Sequence, residues 1–126
     1  MGYRCVTALA ELRAYLSGAS PVAFDLETAP DENYRDEERA ALDAHKSHVV
    51  GISFSVAENS GVYIPLTHRI GRNAETPTEL WQWLMDTFFL NPHVIKVAHN
   101  LSFESMFLYA RGIVVQAPVY DTIAAS

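Results

Sequence analysis

The segment Val22–Thr28 constrains this chain more than any other, because two carboxylates interrupt an apolar run that is typical of a strand. Asp25 and Glu27 are two residues apart, so on a strand they project from one face with Cα atoms roughly 6.6 Å apart. Leu26 then points the other way, into the core. In a mostly apolar setting the two charges repel each other and lose solvation, which a divalent cation compensates. The pattern alone leaves another interpretation open, in which the pair is solvated or caps a helix.

Length and charge narrow the class of protein. The 126 residues form one domain, 1–126, and 49% hydrophobic residues are enough for a core. A net charge of −6 argues against nucleic-acid binding through a broad basic surface. It does not exclude an enzyme that meets phosphates through metal ions, because bound cations dominate their local field.

Cysteine usage and hydropathy indicate the compartment. Cys5 is the only cysteine, which leaves no intrachain disulfide and no cysteine-based zinc cluster. No apolar run is long enough to span a membrane, and the N-terminus lacks a signal-peptide core. We therefore expect a cytoplasmic protein with no membrane partner.

Periodicity and turn signals predict the order helix, strand, long loop, strand, strand, helix, strand, helix. That order predicts an α/β fold with a mixed sheet and flanking helices. The predicted elements are a helix over Leu9–Leu16 capped by Thr7, strands Val22–Glu27, Val49–Val56, Val62–Leu66 and Val94–Ala98, an exposed helix over Glu37–Ala44, a helix from a capping box at Thr76–Glu79, a helix over Leu101–Arg111, and a last helix from Thr122 to the chain end at Ser126.

A third carboxylate follows the last predicted strand, in the segment His99–Glu104. Helical spacing places Glu104 on the same face as Asn100 and Phe103, so it lies on an otherwise apolar stripe and needs a partner or a metal. Two alternatives stay open at this stage. Asn100 is also a plausible N-cap, and Glu104 alone could be a partly exposed residue favoured by the helix dipole.

Five segments of the chain together resemble one known family. In chain order they are Ala23–Thr28, Val49–Phe54, Val62–His68, Lys96–Glu104 and Val119–Thr122. They resemble the DEDD superfamily of 3′–5′ exonucleases, as found in the proofreading domain of family A DNA polymerases. The first segment is similar to the Asp-x-Glu motif of that family, and the fourth is similar to its Asn-x-x-(Phe/Tyr)-Asp motif. The likeness runs from about Pro21 to the C-terminus.

The resemblance implies an RNase H-like fold and two-metal hydrolysis of single-stranded DNA 3′ ends to nucleoside monophosphates. Two Mg²⁺ or Mn²⁺ ions about 4 Å apart would generate the hydroxide nucleophile and stabilise the leaving oxygen. By the same resemblance Asp25, Glu27 and Glu104 are catalytic metal ligands, and a polymerase domain belongs to the same parent chain. The residues implied to contact the substrate are Thr28, Asn100 and Phe103.

Two departures from the family pattern keep alternatives open. Glu104 stands where the motif has Asp, and the final Tyr-x-x-x-Asp or His-x-x-x-x-Asp motif is not present before Ser126. We interpret Asp121 as a structural helix cap, and His68 as a loop residue. The alternatives are an RNase D-like exonuclease acting on RNA and a non-catalytic nucleic-acid-binding scaffold. In the family the final motif lies on a later helix that packs on the domain. Without that helix core surface should be exposed, so we expect self-association or marginal stability.

Overall fold

The computed structural model describes residues 2–125, and within them one six-stranded sheet has the spatial order β1-β4-β3-β2-β5-β6. The strands are β1 (Gly2–Cys5), β2 (Val22–Pro30), β3 (Ser47–Ser55), β4 (Ser60–Pro65), β5 (Lys96–Ala98) and β6 (Val119–Asp121). The helices are α1 (Leu9–Leu16), α2 (Pro77–Leu84), α3 (Leu101–Ala110) and α4 (Thr122–Ala125). Short 3₁₀ turns occupy Glu32–Tyr34 and Ala40–Leu42, and a π-helical turn occupies Met85–Phe89.

The sheet is mixed, with β2 near its centre. β2 is antiparallel to β3, which is antiparallel to β4, as expected for a hairpin. β5 pairs in parallel with β2, and β6 with β5. The α/β prediction is therefore confirmed, and the two predicted carboxylates lie on a strand that has neighbours on both sides.

One face of the sheet carries the hydrophobic core. Val22, Phe24 and Leu26 are buried and alternate with exposed residues along β2. The ring of Phe24 meets Phe88 and Phe89 edge-on at centroid distances of 5.8 and 5.3 Å. Each such side chain stabilises the fold by roughly 1.5–3 kcal/mol through burial. The first three helices add further side chains to the same cluster, among them Leu12, Leu16, Leu80, Leu84, Phe107 and Leu108.

The ladder between β2 and β3 has a bulge directly after the carboxylate pair. Glu27 pairs with Gly51 but Thr28 pairs with Val49, so Val50 is an extra residue on β3. Bulges increase the local twist and redirect neighbouring side chains. The regular alternation of β2 against β3 therefore ends at Glu27.

Lys96 joins β5 to the loops that precede it and follow α3. It is completely buried, and its Nζ donates to the backbone oxygens of Asn91, Val94 and Gln116 at 2.7, 2.9 and 2.9 Å. Burial lowers the pKa of this ammonium group. Three carbonyl acceptors satisfy all three of its protons, so the buried polar group needs no carboxylate partner.

Several local predictions are wrong. A helix over Glu37–Ala44 does not form, because Arg39 has a left-handed φ of 66° that interrupts helical geometry. Thr7 does not cap α1, whose N-cap is Ala8, and the side chain of Thr76 makes no capping hydrogen bond to α2. The predicted end of the last helix at Ser126 lies outside the described residues.

Two strands, β1 and β6, were not predicted from the sequence. β1 pairs in parallel with the edge of β4. All four of its residues are exposed, so β1 has no alternation of buried and exposed residues that would predict a strand. β6 is only three residues long, and its last residue is Asp121, the predicted helix cap. No helix within residues 2–125 has the length and apolar character needed to cross a bilayer.

Candidate active site

Asp25 and Glu27 lie side by side on the face of β2 opposite the core. Both residues are exposed, while Leu26 between them is 6% exposed and belongs to the core. The shared face and the direction of Leu26 follow from the period of two along a strand. The expectation of apolar surroundings is wrong, because both carboxylates are exposed to solvent. The repulsion between the two charges is therefore weaker than in a buried site.

The neighbours of the carboxylates across the sheet are small. Ser53 pairs with Asp25, and Gly51 pairs with Glu27. A groove of about 530 Å³ follows this face over β3 and β4, and Asp25, Ser53, Tyr63 and His99 are among its lining residues. The small side chain of Ser53 therefore leaves room for a ligand above Asp25, whereas the ring of Tyr63 fills the space above Gly51.

Glu104 occupies a different environment, at the edge of β2. β5 ends at Ala98, so the next N–H along that edge, that of Leu26, has no strand partner there. The side chain of Glu104 replaces the strand: its Oε2 accepts from Leu26 N at 2.9 Å, and its Oε1 accepts from Asn100 N at 3.4 Å. Glu104 is completely buried, and it links α3 to β2.

Burial raises the pKa of Glu104 to about 7. Backbone N–H groups, that of Asn100 foremost, oppose this rise because they stabilise the charged form, and the nearby charge of Asp25 adds to it. At neutral pH Glu104 is thus shared between its protonated and charged forms. A cation placed beside Asp25 and Glu104 favours the charged form.

The other predicted residues have mainly structural contacts in this chain. Asn100 is the N-cap of α3, and its Oδ1 accepts from Phe103 N at 3.2 Å. The half-buried ring of Phe103 packs on Phe107 at 5.0 Å. Thr28 Oγ1 donates to Ala41 O at 2.7 Å, which fastens the loop after β2, and Asp121 Oδ1 accepts from Ile123 N at 3.1 Å.

Carboxylate oxygens are the donors that Mg²⁺ and Mn²⁺ prefer, so Asp25, Glu27 and Glu104 fit these ions chemically. Within residues 2–125, however, no group of three or more His, Cys, Asp or Glu side chains is already arranged to hold a metal. Both oxygens of Glu104 are turned toward backbone N–H groups. The two exposed carboxylates are therefore available to an ion, whereas each oxygen of Glu104 already accepts one backbone N–H.

A second groove, of about 630 Å³, opens on the other side of Glu27. The end of β2, the turn after it and the loop after β4 form its walls. Arg35 and Arg69 come from opposite walls and both approach Glu32, at 3.1 and 3.5 Å. Neither arginine is among the predicted site residues, since Arg35 lies in the acidic stretch Asp31–Glu38, which is typical of a solvated loop.

Comparison with known proteins identifies relatives of the chain. A family model described as 3′–5′ exonuclease matches residues 3–126. DNA polymerase I of Chloroflexus aurantiacus is 32% identical over 123 residues, which cover 98% of the chain and 12% of that polymerase. The chain thus spans a small part of the length of this relative.

Solved structures of nucleases share the fold. The EXO domain of Aedes aegypti Nibbler has a TM-score of 0.70 at 16% identity, over 98% of the chain and 54% of that structure. Trypanosoma brucei RNase D has a TM-score of 0.68 at 15% identity, over 95% and 37%. Brucella melitensis NrnC with bound Mg²⁺ has a TM-score of 0.58 at 18% identity, over 96% and 49%. The RNase H-like fold expected from the sequence is confirmed.

Proposed function

The chain belongs to the 3′–5′ exonuclease family, and from this premise we propose that it is a metal-dependent exonuclease domain that removes nucleotides from the 3′ ends of single-stranded DNA. The observation that carries the proposal is the placement of Asp25 and Glu27. They are exposed together on a strand that the core holds from the opposite face, with Glu104 at the edge of that strand.

Asp25, Glu27 and Glu104 would hold two Mg²⁺ or Mn²⁺ ions. Divalent ions in such a site supply an activated water and stabilise the negative charge on the leaving oxygen. The part of the chain is positional: β2 fixes the separation of Asp25 and Glu27, and the bond from Leu26 N fixes Glu104 beside them. The carboxylates also offset the charge of the ions, so that the site can still release a nucleotide product.

The substrate strand would approach along the groove beside Glu27. Arg35 and Arg69 lie there within reach of phosphates, and Thr28 lines the same groove. Phe103 and Asn100, at the start of α3, are proposed to position the terminal nucleotide on the other side. Guanidinium groups recognise phosphate through paired N–H donors, which gives this acidic chain a local contact for nucleic acid.

The parent polypeptide is proposed to carry a polymerase domain and to act in the cytoplasm as a proofreading enzyme in DNA replication. The support is the 32% identity to a bacterial DNA polymerase I. Likeness to RNase D supports a second candidate, an exonuclease that acts on RNA. Initial rates on DNA and RNA oligonucleotides of the same sequence distinguish the two, and a faster rate on RNA selects the second.

Substitution of Asp25 by Ala tests the proposed function. In the parent polypeptide we expect Mn²⁺-dependent degradation of 5′-labelled single-stranded DNA to fall by about 10³-fold, because ions in such sites contribute several kcal/mol to the transition state. In the 126-residue chain, calorimetric titration should show loss of Mn²⁺ binding.

Glu58→Ala is the matched control, since it removes the same charge from the exposed turn between β3 and β4. It should leave both readouts unchanged. Unaltered cleavage by Asp25→Ala would refute the assignment of Asp25. Absence of Mn²⁺ binding and of cleavage before any substitution would favour the non-catalytic scaffold.

A further inference from the structure

Tyr63 reaches Glu27 across a strand. It pairs with Ser53 on β3, in the same row as Asp25, but its ring leans diagonally over Gly51, the partner of Glu27. A Cβ at position 51 would collide with the hydroxyl group and Cζ of Tyr63. Glycine at this position is therefore what allows the phenol to lie beside Glu27.

The hydroxyl group of Tyr63 is held from the other side by the loop after β4. It lies 2.5 Å from Nε2 of His68, and the two rings meet edge-on with centroids 5.6 Å apart. The backbone of His68 is fixed in turn by Asn73, whose side chain accepts from His68 N at 2.9 Å and donates to His68 O at 3.0 Å. The phenol is thus anchored to a closed loop.

Glu27 acts electrostatically on this phenol. Burial, followed by the charge of Glu27, raises the pKa of Tyr63 to about 12. The hydroxyl group lies over Gly51, the cross-strand partner of Glu27, so it is placed to donate its proton to the carboxylate when Nε2–H of His68 donates to the hydroxyl oxygen. Tyr63 is not one of the residues of the hydrophobic core, so its packing alone does not account for this placement.

We propose that Tyr63, anchored by His68, is a positioning residue that orients the Glu27 carboxylate for metal binding. This inference rests on the proposed function, because it takes Glu27 as a metal ligand. A ligand whose second oxygen is held by a fixed donor loses less freedom when it binds an ion. Such outer partners typically change metal affinity by 10–100-fold.

Two variants of the 126-residue chain test the role of Tyr63. Tyr63→Phe removes only the hydroxyl group, and Gly51→Ala displaces the intact phenol from Glu27. We expect each to weaken Mn²⁺ binding by 10–100-fold, measured by electron paramagnetic resonance of free Mn²⁺. Thermal unfolding of each variant, compared with that of the unsubstituted chain, checks that the fold is retained.

The same face of the sheet offers matched controls. Tyr3 lies over Gly61 as Tyr63 lies over Gly51, since a Cβ at position 61 would be 2.6 Å from Cδ1 of Tyr3. Tyr3→Phe and Gly61→Ala should change Mn²⁺ affinity by less than about twofold, as expected for surface changes away from a site.

Substitution of His68 separates positioning from a general structural effect. His68→Ala removes the anchor and should weaken Mn²⁺ binding, whereas His68→Gln keeps a polar nitrogen near the position of Nε2 and should restore it. A purely structural role would not depend on that nitrogen.

Three outcomes overturn the inference. They are an unchanged Mn²⁺ affinity in both Tyr63→Phe and Gly51→Ala, an equal loss of affinity in the Tyr3 and Gly61 controls, and a His68→Gln variant that binds Mn²⁺ as weakly as His68→Ala does. Failure of the proposed function is distinct from these, because then the unsubstituted chain itself binds no Mn²⁺, and the inference falls with it.

Discussion

The two faces of β2 differ in everything except the backbone that joins them. One face presents Val22, Phe24 and Leu26 to a dry core, while the other presents Asp25 and Glu27 to solvent, each beside its own groove. Their side chains alternate, so each carboxylate has core residues as its immediate neighbours in sequence. The packing of one face thereby fixes the position of the chemistry on the other.

A strand suits such a pair of carboxylates because the rest of the sheet holds it in place. On a loop, two carboxylates would need their own hydrogen bonds to hold their separation, but here the sheet ladder and the core hold it. Side chains on the open face contribute little to folding, because they are exposed. Stability and metal binding should therefore respond to substitutions at different residues.

The largest expected effect of a substitution on β2 is on folding stability. Phe24→Ala removes a ring from the core, and we expect the free energy of unfolding to fall by about 3–5 kcal/mol. Urea denaturation followed by circular dichroism measures the change.

Ser53→Ala is the control on the open face, where Ser53 is the cross-strand neighbour of Asp25. It should change the free energy of unfolding by less than about 0.5 kcal/mol. Comparable losses from both variants would contradict the assignment of folding stability to one face.

Glu104 belongs to neither face of β2, because it lies at the edge of the strand. Its folded pKa of about 7 is above its ordinary value of 4.5. In the folded state Glu104 therefore keeps its proton at pH values where the unfolded chain has already lost it. The stabilisation that results is fully present below pH 4.5 and is lost as pH rises to 7. From pH 4.5 to 7 the metal-free chain should lose on the order of 3 kcal/mol from this group.

Glu104→Gln isolates that contribution, since it cannot titrate. The difference in unfolding free energy between the chain and this variant, measured without metal over pH 4–8, should follow the loss described above and level off beyond pH 7. A difference that is constant over this range would show that burial does not perturb Glu104 in the way the structure indicates.

The smallest effect concerns the groove at the end of the open face. Arg35→Ala and Arg69→Ala should each weaken single-stranded DNA binding by about two- to fivefold, as exposed ionic contacts contribute little. Each should also reduce the slope of log affinity against log salt by about 0.7. Fluorescence anisotropy of a labelled oligonucleotide at several salt concentrations measures both quantities. Arg72→Ala, outside the groove, is the control, and an equal effect there would place the strand elsewhere.

The order of elements and the shared face of Asp25 and Glu27 could be predicted from the sequence, because both follow from periodicities along the chain. The solvation of Asp25 and Glu27 could not be predicted, since the apolar residues next to them in sequence, Phe24 and Leu26, point to the opposite face. The buried carboxylate of Glu104 was recognisable as an anomaly on an apolar stripe. Its partner, the N–H of Leu26, depends on where β5 ends.

Contacts between strands were the hardest to anticipate. Nothing in the sequence near Tyr63 indicates that it reaches Glu27, which is 36 residues earlier in the chain. The one available signal was Gly51, a glycine inside an apolar strand, where such a residue often marks close approach of another group. β1 gave no signal at all, because an exposed edge strand needs only backbone pairing.

The chain has two lysines, and the difference in exposure of their amines provides an internal measure of local opening. Lys46 lies in the surface loop after β2 with its amine ion-paired to Glu37, while the amine of Lys96 is enclosed by three carbonyl oxygens. An acylating reagent can modify Lys96 only in molecules whose β5 region has come apart. The rate of labelling at Lys96, normalised to that at Lys46, would therefore report how often the strand beside the candidate active site opens in an otherwise native population.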